Sequence, residues 1–420
     1  MNYILPTQHT IRVRVDYYDA LEREKFQKYP SAEQINSIAS TIIDVPTAEF
    51  LTYYLFHLKR LGDPHFASYK DISRELEIAV TDLHRRVHFN GVSISIPDSV
   101  QSPSDVATER IGEAVALSVV NRIEGLTEAD WSPIPTVSGR NISKKTFDYA
   151  LASNGERFVQ VECKGSATVS DANNYKTSSV SIHKSSIIKK KEQVRRTDGK
   201  ASLLYGAISV IDNRHDSVVQ CWLVDPPSRD FDEVPQKYRL LQRMKFLRDW
   251  ITFISPRSQF SSAIATRIND LESLHDPFEL NGVPLLRNAK DPFEFRPVHT
   301  DRPHSRFLAT RSRIVDGPAG GVVLQISKTA LMLLGIREEL CNLAAKQNLK
   351  NILEYSGRIG SIQKTVECVF SRRRYNSLVL PESVKHIATR NGAYHRFKLP
   401  GQIHYSAGGL VFGVLPLPEE

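Results

Sequence analysis

The chain has 420 residues, with a hydrophobic content of 41%, a charged content of 24% and a net charge of +8. These values are typical of a globular protein with two or three domains. No stretch is long and apolar enough to cross a bilayer and no apolar run near the start resembles a signal peptide, so we expect a cytoplasmic protein without a membrane segment.

Four cysteines lie far apart, without a Cys-x-x-Cys pair: Cys163, Cys221, Cys341 and Cys368. This spacing argues against a zinc site and is compatible with a reducing cytosol. The basic charge permits a polyanionic partner. Composition and Pro/Gly punctuation divide the chain into a helical domain (1–102), an α/β domain (103–227) and a C-terminal α+β domain of unknown role (228–420).

In the first domain, Tyr69 to Val87 resembles a helix-turn-helix motif, with two short helices joined near Ile78-Ala79. Thr81 to His88 would be the recognition helix, and Thr47 to Leu61 the supporting helix. His88 to Ile96, with Asn90-Gly91 at its turn, would form the wing of a winged helix. The residues that this resemblance places against nucleic acid are His84, Arg85 and Arg86. Glu77 departs from the motif, which usually has glycine there.

The second domain alternates predicted helices and strands. In chain order they are a helix over Asp105 to Ile123 capped by Ser104, strands over Trp131 to Val137, Phe147 to Leu151 and Phe158 to Lys164, a helix over Lys184 to Arg196, and strands over Ala201 to Ile211 and Ser217 to Val224. The third domain begins with two Arg-rich helices, over Tyr238 to Ile254 and Ser258 to Leu274.

Two of these strands carry a candidate site. The two-residue side-chain period of a strand puts Glu162 and Lys164 on one face, opposite Val161 and Cys163. Asn154-Gly155 predicts a tight turn between the two strands. An antiparallel pair joined by this turn can bring Asp148 beside Glu162 and Lys164. Two carboxylates and an ammonium group suit Mg²⁺-assisted phosphodiester hydrolysis, with Mn²⁺ as a substitute.

Asp148 followed by Glu162-Cys163-Lys164 resembles the signature of the PD-(D/E)XK nuclease superfamily, which has a restriction-endonuclease-like fold. The resemblance covers about the middle third of the chain and implies a mixed sheet flanked by helices. It also implies that Asp148, Glu162 and the backbone carbonyl of Cys163 bind the metal, and that Lys164 orients the attacking water. The residue before Asp148 is Phe147 instead of the proline of the superfamily's name.

The superfamily often adds a glutamate from the first helix, and Glu113 is the best match, with Glu109 as its rival. On the second helix Gln193 occupies a place where relatives have a polar residue. The residues of that helix that could contact phosphates are Lys189, Lys190, Lys191, Arg195 and Arg196. His183 is the histidine nearest to the site in sequence, but the histidines lack ligand-like spacing, so we expect no metal role for it.

The leading interpretation is an Mg²⁺-dependent DNA endonuclease of restriction or phage-defence type. The sequence leaves open whether the enzyme also cuts RNA. One alternative is a DNA-binding regulator that uses the nuclease fold as a scaffold, and another is a subunit of a larger defence complex. Glu162 and Lys164 could instead form an ordinary surface ion pair with Asp148, which would contribute little. Cutting both strands with one site per chain would favour a homodimer.

Overall fold

The structure is a computed structural model that describes residues 4–56, 69–97, 106–132, 151–168, 175–197, 203–214, 216–224, 234–254, 259–285, 305–307, 319–371, 389–390 and 394–417. It is a mixed α/β protein that forms two compact units. The sheet unit comprises Gln8–His57 and Asp82–Gln242, and the barrel unit comprises Met1–Thr7, Leu58–Thr81 and Arg243–Glu420. The division into three domains, 1–102, 103–227 and 228–420, stays a prediction.

The elements up to residue 224 are, in chain order, β1 (Thr10–Tyr17), α1 (Ala20–Phe26), α2 (Ala32–Ile38), β2 (Thr41–Pro46), α3 (Thr47–Phe56), α4 (Tyr69–Arg86), β3 (His88–Asn90), β4 (Ser93–Ser95), α5 (Val106–Glu124), β5 (Ala152–Ser153), β6 (Phe158–Thr168), α6 (Ser178–Thr197), β7 (Leu203–Asp212) and β8 (Val219–Val224). Apart from α4, whose first part belongs to the barrel unit, they belong to the sheet unit.

A six-stranded mixed sheet organises the sheet unit, in the order β2-β1-β8-β7-β6-β5. Strands β6 and β7 are parallel, as are β1 and β8, whereas the other neighbours are antiparallel. The predicted elements α5, β6, α6, β7 and β8 are all present, although α6 begins at Ser178 instead of Lys184 and β6 ends at Thr168 instead of Lys164. The coarse prediction of a mixed sheet flanked by helices is therefore confirmed.

Helix α5 is buried on nearly all sides, because β6 and β7 pack against one face and α3 against another. A helix in such a position is apolar all round, as Ala114 to Leu117 illustrate. Its backbone touches the sheet at Gly112, where an added Cβ would lie only 2.4 Å from the backbone nitrogen of Gly165. Glycine at both positions allows this close approach of helix and strand.

The first hundred residues contain two strands that the sequence analysis predicted as part of a helical segment. Strand β1 pairs in parallel with β8 and antiparallel with β2, so both strands extend the central sheet. Their alternating burial, with Ile11, Val13 and Val15 buried between exposed arginines, is the pattern of a half-buried strand.

The predicted helix-turn-helix is wrong in its geometry, because α4 is one continuous helix of 18 residues. Tyr69 to Arg86 contains neither glycine nor proline, and the junction expected at Ile78-Ala79 has no residue that would end a helix. The following hairpin, β3 and β4, is present as predicted, with Gly91 at a positive φ of 59°. The hairpin is bonded to the central sheet, through Arg12 N to Val92 O and Ile96 N to Asp212 O.

The remaining elements are α7 (Pro235–Ile254), α8 (Gln259–Ser273), a 3-10 turn (Pro277–Leu280), β9 (Ser305–Phe307), β10 (Ala319–Ser327), β11 (Ala330–Arg337), α9 (Glu338–Ala345), α10 (Leu349–Glu354), β12 (Gly360–Ser371), β13 (Thr389–Arg390), β14 (Tyr394–Tyr405) and β15 (Leu410–Pro416). Apart from the start of α7, they belong to the barrel unit. The two Arg-rich helices predicted at the beginning of the third domain correspond to α7 and α8.

The strands of the barrel unit follow the order β12-β9-β10-β11-β15-β14-β13, and β12 also pairs with β14. This additional pairing closes six antiparallel strands into a ring, with β13 outside it. Buried aliphatic residues such as Val323, Leu333 and Ile403 form one core cluster of this unit.

Within the described part of the chain, no helix is long and apolar enough to cross a membrane.

Candidate active site

Strand β6 presents different residues to the two helices that cover it. On one face, Gly165 lies against the backbone of α5 at Thr108. On the other face, Glu162 and Lys164 point towards α6, where Lys190 contacts Glu162. The two-residue period of the strand therefore places the predicted acid and base together, as the sequence analysis expected.

The carboxylate of Glu162 is fully buried and holds two ammonium groups. Lys164 Nζ lies 2.7 Å from Glu162 Oε1, and Lys190 Nζ lies 2.5 Å from the same oxygen. The lysine side chains are 22% and 20% exposed, whereas the glutamate side chain is 0% exposed. Glu162, Lys164 and Lys190 therefore form one charged cluster between β6 and α6.

Helix α6 is oriented by apolar residues on the side that faces the sheet. Val180 and Ile187 are buried in a cluster with Ile208, Val210 and Val224 of the neighbouring strands. Residues three and four positions after Ile187 lie on nearly the same face of the helix, so Lys190 and Lys191 both turn towards the sheet.

The two neighbouring lysines consequently have different environments. Lys191 is buried and donates a hydrogen bond of 3.1 Å to the backbone carbonyl of Val224, which corrects its predicted place among the phosphate-contacting residues. Lys189 is exposed, as that prediction requires. The predicted residues Gln193, Arg195 and Arg196 belong to the last turns of α6, and their side chains lie outside the described part.

A concave surface of about 560 Å³ runs along α6, and Lys190 of the site is one of the residues that line it. The described residues that line it are Ser181, Ile182, Ser185, Ser186, Lys189 and Lys190. Its lining includes the exposed Lys189 and also Lys190, which contacts Glu162. Hydroxyl and ammonium donors along a groove are the groups that contact a phosphate backbone.

His183 is a residue near the site to which the sequence analysis gave no role. Burial and the charge of Lys164 lower the pKa of His183, whereas a hydrogen bond with the backbone of Gly165 acts in the opposite direction. His183 lies two helical turns before Lys190, a spacing that places both on one face of α6. This seven-residue spacing is the sequence feature from which the position of His183 near the site could have been predicted.

Helix α5 carries the two candidate glutamates of the first helix. Glu113 follows Gly112, the residue that contacts the backbone of Lys164 and Gly165, and it is buried. Glu109 is exposed. Since α5 covers the face of β6 opposite Glu162 and Lys164, the role of either glutamate as a metal ligand stays a prediction.

The second predicted acid, Asp148, lies within residues 133–150, outside the described residues. The turn that follows it is present: Ala152 and Ser153 pair with Val159 and Phe158, and Gly155 has a φ of 99°. Leu151 also forms a bridge with Ser132, at the start of the predicted first strand. The distance from Asp148 to Glu162 is therefore not tested, although the hairpin that would join them forms.

No group of three or more His, Cys, Asp or Glu side chains that could hold a metal ion occurs among the described residues, which do not include Asp148. The side chain of Cys163 is buried, and the role of its backbone carbonyl stays a prediction. All four cysteines are free thiols.

The residues predicted to contact nucleic acid through α4 differ in exposure. Arg85 is exposed, and Arg86 Nε lies 3.7 Å from Asp82 Oδ1 one turn earlier. His84 is half-buried, and burial lowers its pKa. Because α4 is continuous, these residues end a long helix instead of forming a separate recognition helix, and their contact with nucleic acid stays a prediction.

Comparison with known proteins adds no relative: no protein-family model, curated protein or solved structure matches this chain.

Proposed function

We propose that this chain is a metal-dependent nuclease of the PD-(D/E)XK type that hydrolyses phosphodiester bonds in DNA, with restriction or phage defence as its setting. One observation carries the proposal: Glu162 and Lys164, two residues apart on a strand between two covering helices, meet at 2.7 Å beside Lys190, which lines the concave surface along α6. The order helix, β-hairpin, helix, strand, formed by α5, β5 with β6, α6 and β7, supports the same function.

The buried carboxylate of Glu162 is the first candidate ligand for a cation. Its Oε1 atom accepts two ammonium groups, so a divalent ion that binds this oxygen would take the place of at least one of them. A divalent ion needs further oxygen ligands, which Asp148, Glu113 and the carbonyl of Cys163 would provide. When bound, Mg²⁺ would supply Lewis acidity towards a phosphoryl oxygen.

The protein groups have separate roles in this proposal. Glu162 would fix the position of the cation, because its side chain is fully buried on β6. Lys164 holds the attacking water and stabilises negative charge on the phosphoryl oxygens, since its ammonium group lies on the same face and retains access to solvent. Lys189 contacts the backbone of the nucleic acid along the groove.

The test is a cleavage assay on plasmid, linear and single-stranded DNA and on RNA, with Mg²⁺ and Mn²⁺ titrated. K164A is expected to lower cleavage about a hundredfold or more while DNA binding is retained. K28A is the matched control, because Lys28 is an exposed lysine of the same unit, and it is expected to cut like the unchanged protein. If folded protein cuts none of these substrates with either metal, the proposal is wrong.

The same assay addresses the assembly that the proposal implies. One site per chain would cut both strands only if two chains act together or if one chain acts twice. A quadratic dependence of double-strand cutting on protein concentration, with first-order nicking, would support a homodimer. Activity that appears only with co-expressed neighbours would support a subunit of a larger complex.

A further inference from the structure

Helix α5 carries a buried arginine that the proposed active site does not use. Arg110 is 8% exposed and lies four residues after the first residue of the helix. Two residues correspond to about 200° around an α-helix, so Arg110 lies on the side of α5 away from Gly112 and its contact with β6. On that side it faces α3, where Cζ of Arg110 lies 5.9 Å from the centre of the Tyr54 ring.

Arg110 differs from other buried arginines in its hydrogen bonds. Within the described ranges three arginines are buried: Arg110, Arg243 and Arg267. Arg243 donates to the backbone carbonyl of Ile352. Arg267 donates to the side-chain oxygen of Gln347. In contrast, Nε and Nη1 of Arg110 are both buried and have no hydrogen-bond partner in the described part of the chain.

Buried donors without an acceptor are unfavourable for an arginine. Removal of a charged group from water is costly unless opposite charge and hydrogen bonds compensate for the lost hydration. A guanidinium group cannot avoid this cost by releasing its proton, because arginine stays charged in proteins. The ring of Tyr54 compensates only in part, since its distance is at the outer limit of about 6 Å for attraction between a cation and an aromatic ring. The free donors of Arg110 therefore require an acceptor, and a negatively charged one suits them best.

We propose that Arg110 binds a phosphate group at the amino-terminal end of α5. The planar guanidinium group presents its N–H donors in a fork that matches two oxygens of one phosphate. The amino-terminal end of a helix favours an anion, because its backbone N–H groups carry partial positive charge. Side chains on a helix lean back towards its amino terminus, so the long side chain of Arg110 extends in this direction.

The charge of the ligand favours phosphate over a carboxylate. A phosphate monoester carries close to two negative charges at neutral pH, whereas a carboxylate carries one. The doubly charged group compensates a buried cation more strongly. Because Arg110 lies on the far side of α5 from β6, this site is separate from the cluster of Glu162, Lys164 and Lys190, and the inference does not depend on the proposed function.

The test measures the melting temperature of the whole chain with and without inorganic phosphate. A ligand that binds only the folded state raises this temperature. In about 20 mM phosphate the unchanged protein is expected to melt about 3 °C or more above its value in sodium chloride of equal ionic strength. In R110M this difference should fall below about 1 °C, because methionine fills similar space and has no donor.

R122M is the matched control for R110M. Arg122 is an exposed arginine on the same helix, so its replacement removes the same charge from the surface. Its melting temperature should respond to phosphate as that of the unchanged protein does. Equal responses of R110M and the unchanged protein, or no response of the unchanged protein to any phosphate compound, would each overturn the inference.

Two further ligands identify the source of the group. A nucleoside 5′-monophosphate tests phosphate carried by a nucleotide, and acetate tests a carboxylate. Stabilisation by inorganic phosphate alone assigns the site to the free ion, whereas stabilisation by the mononucleotide assigns it to phosphate monoesters. Acetate that stabilises the unchanged protein as much as phosphate does would reject the choice of phosphate.

Circular dichroism establishes that each variant is folded. Should R110M not fold, the Nε–H resonances of the unchanged protein labelled with ¹⁵N-arginine replace it. The Arg110 resonance, assigned with R110K, should shift on titration with phosphate and not with sodium chloride. A resonance that phosphate leaves unchanged contradicts the inference.

Discussion

Gly112 of α5 lies directly on Gly165 of β6, so that a Cβ added at Gly112 would be 2.4 Å from the nitrogen of Gly165. A Cβ at Gly165 would lie 1.9 Å from the carbonyl oxygen of Thr108. Both neighbours are backbone atoms, which cannot turn aside as a flexible side chain can. The crossing therefore fixes α5 against the residue that follows Lys164.

The first prediction concerns this crossing. Alanine normally stabilises a helix interior by about 1 kcal/mol relative to glycine. We expect G112A to have the opposite sign and to lower the free energy of unfolding by about 1–3 kcal/mol, because the helix must move away from the strand. Urea unfolding at pH 7 measures the difference.

The control for G112A is S118A on the same helix. Ser118 is also buried, and its hydroxyl bonds to the carbonyl of Ala114 within the helix. Its replacement adds no atom, so the change should be below about 1 kcal/mol. A G112A protein as stable as S118A would contradict the close approach.

The pattern of adjacent residues in the sequence was sufficient to predict the elements that surround the site. The alternation from Val159 to Lys164 and the turn at Asn154-Gly155 are both properties of a few adjacent residues, and the structure has both. The pairing of β1 with β8 could not be predicted in this way, because Val13 and Val219 are distant in the chain and many strands could satisfy the same alternation. Closure of the barrel by β12 and β14 depends on equally distant partners.

The error at α4 has a different cause. The spacing of Ile72, Leu76 and Leu83 fits one amphipathic helix as well as two short ones, and all three residues are buried. Without a glycine or proline between them, continuous hydrogen bonding is the more stable solution. Glu77, noted as a departure from the motif, was the informative residue.

The second prediction separates two neighbouring lysines. K191A should lower the free energy of unfolding by about 1–3 kcal/mol, because it leaves the carbonyl of Val224 without this donor and opens space in the core. K189A should change it by less than about 0.5 kcal/mol, since Lys189 is exposed.

Nucleic-acid binding should show the reverse order for these two lysines. K189A removes a proposed phosphate contact and should reduce the slope of log K against log salt by about one. K191A, in conditions where it is folded, should retain the slope. Fluorescence anisotropy of a labelled duplex at several salt concentrations measures both, and a larger salt effect for K191A would contradict the assignment.

The charge pattern of α6 shows which part of the site the sequence could indicate. Five basic residues within one segment predicted a phosphate-binding helix, but not which of them face solvent. That distinction follows from the phase of the helix, which Val180 and Ile187 set by packing on the sheet. Lys191, four residues after Ile187, then falls on the buried side.

The third prediction uses the partly buried carboxyl of Glu49 on α3. Burial raises its pKa to about 7 from 4.5, nearby Glu128 acts in the same direction, and Asn121 and Arg122 oppose them. Between these two pH values the folded protein holds a proton that the unfolded chain releases. The contribution of Glu49 to the stability of the unchanged protein should therefore fall as pH rises from about 4.5 to about 7.

E49Q tests this dependence, because glutamine keeps an oxygen that can accept the 2.9 Å hydrogen bond from Asn121 Nδ2 and does not ionise. The stability of E49Q relative to the unchanged protein should increase by up to about 3 kcal/mol between pH 5 and pH 8. Urea unfolding at several pH values measures this difference. Parallel stability curves for the two proteins would show that Glu49 has an ordinary pKa in the folded state.

The fourth prediction has the opposite sign and concerns His404 in the barrel unit. Its ring is fully buried and stacks on Phe412 at 5.4 Å between centroids, and neither ring nitrogen has a hydrogen-bond partner within the described ranges. Burial lowers the pKa of His404 from 6.5 to about 3. As pH falls below about 6.5, His404 therefore becomes protonated in the unfolded chain but stays neutral in the folded protein. Acid should consequently destabilise the protein through this residue.

H404F should remove that sensitivity, because phenylalanine keeps the aromatic stacking and carries no ionisable or unsatisfied nitrogen. Its stability advantage over the unchanged protein should grow by about 2 kcal/mol between pH 7 and pH 5. H9Q replaces an exposed histidine and should change stability by less than about 0.5 kcal/mol. An advantage of H404F that is independent of pH would mean that the folded protein accommodates the charged ring, and the buried neutral state of His404 would be wrong.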